Sequence, residues 1–516
     1  MKKIFNSILC LFLFITINLS AQPKPGKIDS VESAVPKPIQ IVTHHSITID
    51  GKEIIYTATT GTFLLKNEND TAIALIGFTA YTKEGETDFG KRPVTFAYNG
   101  GPGSSSMWLH MGALGPKRVV LDDPDAVPPA PYETADNNYS IIDATDLVMI
   151  DPVGTGLSKP VGKAKGKDFW GINEDIKSIS EFIYQYILQN NRLNSPKFLL
   201  GESYGTLRSA GVSDYLFENK EISINGIIFV STVFNFETLS AIPGNDLPYV
   251  LFLPTYAAVS WYHKTLPSQP SDLISFVKTV EDYSQHEYSE ALFKGSSNDS
   301  SEIDKVAGKL YEFTGISKAY WIKANLRIDE SQFTAELLRE KGKTVGRLDA
   351  RYKAPSGDLL AEYSDFDPQS SAISPPFTST FLEYLHNDLG FPADQTYRVN
   401  AYGNEEFKWN WTRQAEGRAF ALQNGDVSPD LADVMSKDPY LNVLMLNGYF
   451  DLATPFFATE YTMNHLGGNI PNLKERVRMK YFNAGHMMYI NKESLPEFKT
   501  DISDFIKEMS KPGTIK

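Results

Sequence analysis

Cysteine is nearly absent from this sequence. Its 516 residues contain one, Cys10, close to the N-terminus. That excludes an internal disulfide, a catalytic thiol and a thiolate-bound metal from the body of the chain. Positive charge is also in short supply. Lys and Arg number 49 against 63 Asp and Glu, a formal net charge of −14, which argues against nucleic acid as a partner. Long apolar runs are missing too. The one run near the N-terminus, Ile8 to Ile17, is too short to span a bilayer comfortably. Histidine occurs eight times, and the pair His44-His45 lacks a His-Glu-x-x-His context, so no metal site is expected. No internal repeat and no cofactor motif is visible, and no cofactor is expected.

What is present reads as a large globular protein. Hydrophobic residues make up 42% and charged residues 22%, both ordinary globular values. The length implies more than one domain, or one domain carrying a large insertion. Lys2-Lys3, the apolar run and Leu19-Ser20-Ala21 form a secretory signal over residues 1–21. Export to the periplasm or the exterior is expected, with Gln22 as mature start and no stable membrane insertion after cleavage. Leu9 before Cys10 argues against a lipoprotein site. Residues 22–40, rich in Pro, Lys and Ser, read as a flexible leader.

Catalysis is signalled by Gly201-Glu202-Ser203-Tyr204-Gly205, directly after the apolar run Lys197-Phe198-Leu199-Leu200. A serine between two glycines on a tight strand-to-helix turn is the signature of a nucleophile elbow. By itself the pentapeptide is also consistent with an ordinary turn. Chain order then supports catalysis. In α/β-hydrolases an acid and a histidine follow the serine, each in a loop beyond a later strand. Val443 to Leu446 precedes Asp451, and Arg476 to Phe482 precedes His486, the last histidine of the chain. His486 would take the serine proton, and Asp451 would fix its tautomer. The structural alternatives are a turn-forming aspartate near Thr454-Pro455 and a surface loop histidine.

A third segment, Asn99-Gly100-Gly101-Pro102-Gly103-Ser104-Ser105-Ser106, follows the strand-like Thr95 to Tyr98. Its bare glycines let amides face a ligand. The amides of Gly101 and Tyr204 are the expected oxyanion donors. The segment carries no Gly-Lys-Ser/Thr ending, which argues against a phosphate cradle.

With these motifs in place the chain resembles the serine carboxypeptidases, in particular the bacterial branch related to carboxypeptidase C and cathepsin A. The matching segments are Asn99 to Ser106, Leu114-Gly115-Pro116, Asp151 to Ser158, Gly201 to Gly205, Asn447 to Asp451 and Gly485-His486-Met487. The resemblance implies removal of one residue from a peptide's C-terminus. It also implies that Asn99, the Gly100 amide and Glu202 receive the substrate carboxylate. One position departs. Eukaryotic members carry a second glutamate just before Leu-Gly-Pro, sharing a proton with the one beside the serine, and here that position is Ala113. Glu202 alone cannot form a carboxyl pair, so recognition needs another group or is lost. His110, Lys117 and Arg118 stand near in sequence but read as surface residues. Eukaryotic relatives rely on disulfides, whereas this chain must hold its insertion by packing.

The expected fold is an α/β-hydrolase: a mostly parallel sheet with antiparallel N-terminal edge strands and an inserted helical lid. Ile47 to Tyr81 reads as strands joined by turns at Asp50-Gly51 and Asn67 to Asp70. Asp146 to Asp151 reads as a central strand, and Ile224 to Val230 as the strand after the elbow. Ile172, Ile176, Ile179, Ile183, Tyr186 and Ile187 recur at helical spacing. The core is expected over 41–236 and 431–516, with the lid over 237–430. There Trp261, Tyr320, Trp321, Trp409 and Trp411 are candidates for a pocket lining, with core packing favoured for each. The function expected is a serine carboxypeptidase acting on peptides through an acyl-enzyme. An esterase or acyltransferase on the same scaffold is the alternative.

Overall fold

The computed structural model describes residues 35–121, 128–414, 421–467 and 469–511. The expected signal sequence, and the leader as far as residue 34, lie outside the described residues.

Among the described residues ten strands form one twisted sheet, nine of them on one path: β1 Gln40–Ile49, β2 Lys52–Lys66, β3 Ala72–Lys83, β4 Val94–Tyr98, β5 Asp146–Asp151, β6 Lys197–Glu202, β7 Gly226–Val230, β8 Asn442–Gly448 and β9 Val477–Phe482. Their spatial order is β1-β2-β3-β5-β4-β6-β7-β8-β9, and the short strand Lys159–Pro160 also pairs with β3. β1 to β3 run antiparallel, as does the β3–β5 pair, and every pairing from β5 onward is parallel. The Asp50-Gly51 signal makes the first hairpin. Both residues have positive φ, 50° and 75°, as a tight primed turn requires.

The parallel strands β4, β5, β6 and β7 are buried along their whole length. Strands covered on both faces read as continuous apolar runs, which is why they were legible. One apolar cluster covers each face of the sheet. Helix α1, Ile172–Gln189, sits between β5 and β6 and buries all six of its periodic residues. Helix α2, Tyr204–Lys220, starts directly on the elbow serine.

Between β7 and β8 the chain is mainly helical. It forms α3 Leu247–His263, α4 Leu273–Tyr283, α5 Ser300–Thr314 and α6 Pro368–Glu383. Asp299 caps α5 with a reciprocal bond to Glu302. Helices α3 to α5 and the segment after them build a third apolar cluster around Leu253, Trp321 and Phe333, whereas α6 packs Ile373 and Phe377 into the first. Phe450, Leu452, Phe456 and Phe457 join the third cluster from beyond β8. The insertion is therefore welded to the core by buried apolar surface, without a disulfide. Helix α7, Leu495–Met509, packs its apolar face beneath the sheet.

The order of strands reverses around β4. Ligands of open α/β sheets bind at the C-terminal ends of strands flanking such a switch point. Asn99 and Ser203 follow the ends of β4 and β6 at this point, and Asp451 and His486 follow the same ends of β8 and β9.

Candidate active site

The elbow is shaped by what cannot fit. A Cβ at Gly201 would collide with the carbonyl of Gly205 in the first turn of α2. Ser203 takes φ 58° and ψ −129°, a conformation that non-glycine residues rarely adopt. Its amide is held by the Val230 carbonyl at 2.9 Å. The strained turn sets the serine at the N-terminus of a 17-residue helix, where unpaired amides favour negative charge.

The acid and the histidine sit on two loops that run side by side. Tyr449 N–H donates to the Phe482 carbonyl, and Phe450 N–H to that of Ala484, each at 3.0 Å. Asp451 is fully buried. Its Oδ1 accepts the amides of Ala453 and Thr454 at 2.8 and 2.9 Å. Its Oδ2 accepts the Thr454 hydroxyl at 2.7 Å and faces His486 Nδ1 at 2.8 Å. Oδ1 thus serves the turn, while Oδ2 is shared by the Thr454 hydroxyl and His486. With Nδ1 engaged, Nε2 is the ring nitrogen left for the serine side. Burial disfavours the imidazolium, but the charge and hydrogen bond of Asp451, helped by Glu202, hold the His486 pKa above its ordinary value.

An insertion segment braces this pair. His486 N–H donates to the Leu348 carbonyl at 2.7 Å, and Gly485 N–H to Asp349 Oδ2 at 3.0 Å. Ala350 and Leu452 amides exchange bonds with Phe450 and Arg347 carbonyls, both at 3.0 Å. A Cβ at Gly485 would overlap Asp349, so only glycine allows this approach. Asp349 is itself paired with Arg351, whose Nη1 reaches the Asn483 carbonyl at 2.8 Å. Sequence reasoning missed Thr454 and this brace. Thr454 had a local signal, since Asp followed three residues later by Thr favours an Asx-type turn. The brace had none, because it joins distant segments.

Ser203 and His486 line one cavity of about 410 Å³, inside the range usual for small ligands. Its wall includes Asn99, Gly100, Gly101, Glu202 and Tyr204, so every expected oxyanion and carboxylate residue lies at one place. Asn99 is fixed from two sides. Leu109 N–H donates to its Oδ1 at 2.9 Å, and Arg208 Nη1 to its carbonyl at 2.7 Å. Arg208 is buried and paired with Asp175 at 2.7 Å, tying α1, α2 and the loop after β4 together. Asp151 accepts the Ser106 amide at 2.9 Å and the Tyr397 hydroxyl at 3.1 Å, which anchors the other end of that loop.

Glu202 is 4% exposed. It accepts a very short hydrogen bond from the Tyr489 hydroxyl. Burial pushes its pKa up to about 7, against the opposing pull of His486, Tyr489 and Asn99.

Leu239, Arg347, Ser370, Ile373, Asn400 and Tyr402 of the insertion line the cavity as well, with Trp108 and Met487 from the core. None of Trp261, Tyr320, Trp321, Trp409 and Trp411 lines the cavity. Trp321 is a core residue, and Trp409 and Trp411 stand edge-on to Tyr204. His110, Lys117 and Arg118 do not line the cavity either. The surface reading of His110 needs correction, for it is buried. Its Nε2 faces the Tyr81 hydroxyl at 2.5 Å, and burial lowers its pKa to about 3. Among the described residues no His, Cys, Asp or Glu group has the makings of a metal site, and no helix is long and apolar enough to cross a membrane.

The sheet order and the serine elbow define an α/β-hydrolase. The sequence profile of the serine carboxypeptidases matches residues 78–494, and the chain belongs to that family. Among solved structures it is similar to the prohormone-processing carboxypeptidase Kex1 of Saccharomyces cerevisiae. Identity there is 17%, covering 88% of this chain and 91% of that one, with a TM-score of 0.54. It is also similar, at TM-score 0.34 and 13% identity, to a proline iminopeptidase of Mycobacterium smegmatis, covering 91% of this chain and 99% of that one. No curated protein sequence matches the chain.

Proposed function

We propose that this hydrolase removes single residues from the C-termini of peptides through a Ser203-His486-Asp451 triad. One observation carries the reading. The strained elbow serine and a histidine already bonded to a buried aspartate line the same cavity. Ser203 Oγ attacks the scissile carbonyl while His486 Nε2 takes its proton. The amides of Gly101 and Tyr204 hold the oxyanion. His486 then protonates the leaving amine, and the acyl group stays on Ser203. Water, activated by the same imidazole, attacks the ester and releases the shortened peptide. Asn99, Gly100 and Glu202 receive the terminal carboxylate, with Glu202 in its protonated form.

The insertion acts as the lid that shapes the cavity. The N-terminal signal directs the chain out of the cytoplasm, to peptide substrates in the periplasm or beyond.

The test is incubation of the purified protein with a mixed peptide pool, read by mass. Stepwise loss from the C-terminus, abolished in Ser203→Ala, is expected. Ester hydrolysis with no peptide shortened overturns the peptidase reading in favour of an esterase or acyltransferase.

A further inference from the structure

Tyr489 stands behind Glu202. It is 1% exposed and does not line the cavity, whereas Glu202 and Asn99 do. It lies in the turn Met488–Ile490, just after His486, and that turn packs against the turn His110–Leu114. A Cβ at Gly112 would come within 2.5 Å of the Tyr489 ring, so the ring fills space left bare by Gly112, next to Ala113 in the chain. On its other side the ring meets Phe498 at 5.6 Å between centroids. The hydroxyl donates to Glu202 Oε2, and Asn99 lies close enough to act on the protonation of both Tyr489 and Glu202. The Asn99 amide cannot turn over, because its Oδ1 already takes the Leu109 amide.

We propose that Tyr489 is a positioning residue for substrate recognition: its hydroxyl occupies Glu202 Oε2, so that a protonated Glu202 carries its proton on Oε1 and offers it to the substrate's terminal carboxylate. This rests on the carboxypeptidase reading above. A carboxylic acid has one proton and two oxygens, and only a proton on the free oxygen is useful to a ligand. A second carboxyl would have to share a proton with Glu202. A phenol need not, because it stays protonated throughout the working pH range. Burial, then the charge of Glu202, push the Tyr489 pKa well above the ordinary phenol value. The charged or titratable groups acting on Glu202 are His486, Asp451 and Tyr489, with Arg347 in the cavity wall. Tyr489 thereby fills the role that the sequence left open at Ala113.

The experiment compares wild type with Tyr489→Phe, which keeps the ring and removes the donor. Peptide and carboxylate-free ester kinetics are measured from about pH 5 to about pH 9, bracketing the Glu202 titration. Infrared difference spectroscopy follows the Glu202 carboxyl directly, with Glu202→Gln as the assignment reference. Peptide KM should rise about tenfold at acid pH, since a hydrogen bond to a charged or ionising group is worth about that factor. Ester kinetics should stay unchanged. The Glu202 titration should move up, because the ionised carboxylate loses a donor. In a Glu202→Gln background, Tyr489→Phe should add nothing further to the peptide pH profile. An unmoved infrared titration overturns the proposal, as do equal losses on peptide and ester. A wild type that shortens no peptide overturns the carboxypeptidase reading instead, and the infrared titration still judges the Tyr489–Glu202 pair.

Discussion

The backbone N–H of His486 donates to the backbone carbonyl of Leu348 at 2.7 Å. A residue of the long insertion thus fixes the loop bearing the proposed general base. Asp349 extends the same contact, taking the Gly485 amide on Oδ2 while paired with Arg351. Asp349→Ala should leave a buried guanidinium without its partner. The expected loss of stability is about 3 kcal/mol. Turnover should fall at nearly constant KM, because the histidine loop loosens while the cavity wall stays. Urea unfolding and steady-state kinetics on the same preparation check both.

Ser203→Ala should lower turnover by roughly a millionfold, as with triad serines elsewhere. The fold should be retained, since the Ser203 amide supplies the bond to Val230. A fluorophosphonate should label Ser203 alone. Label found on any other residue, or full activity in the variant, removes Ser203 from the mechanism.

Glu202→Gln should stabilise the protein in mild alkali. The carboxyl titrates near 4.5 in its ordinary state and near 7 when folded. Between these values the folded protein holds a proton that the unfolded chain releases, so stability falls as pH rises through that window. Glutamine never ionises, and the variant should gain on the order of 3 kcal/mol at pH above about 7 relative to acid. Thermal melts of both proteins at two pH values, one on either side of the window, read this difference. Parallel pH dependence would show that Glu202 is not held protonated.

Among the described residues Arg347 is the one Lys or Arg side chain lining the cavity, and its Nε pairs with Glu330 at 3.0 Å. Arg347→Gln should reduce cleavage of peptides with acidic residues near the scissile bond by about tenfold relative to neutral ones. It should also move the acid limb of the rate profile to higher pH. Arg347 opposes the imidazolium of His486, so its removal keeps His486 protonated for longer as pH rises. Competition between paired peptides and a small-ester pH profile separate the two effects.

The parallel strands and α1 were legible because burial on both faces leaves an apolar run, and burial on one face leaves a helical period. The site positions were legible because a nucleophile turn, its glycines and its strand-end partners follow a fixed chain order. The insertion wall was not. Arg347 and Tyr402 reach the cavity from irregular segments without a period, and Ser370 from the first turn of α6, while the conspicuous tryptophans serve packing. His110 misled for a similar reason: a polar residue beside Lys117 and Arg118 reads as exposed, yet it is buried against Tyr81 and Tyr384. Tyr489 was invisible as a partner because its relation to Glu202 spans 287 positions.

The brace also decides how the chain can be recombined. A designer wanting new selectivity would exchange everything between β7 and β8 for another family member's insertion. Such a graft deletes the Leu348 carbonyl and the Asp349 carboxylate, leaving the amides of Gly485 and His486 unanswered in a buried place. The exchangeable material is therefore two cassettes rather than one, lying before Arg347 and after Arg351, with the five residues from Arg347 to Arg351 left in place as part of the catalytic chassis.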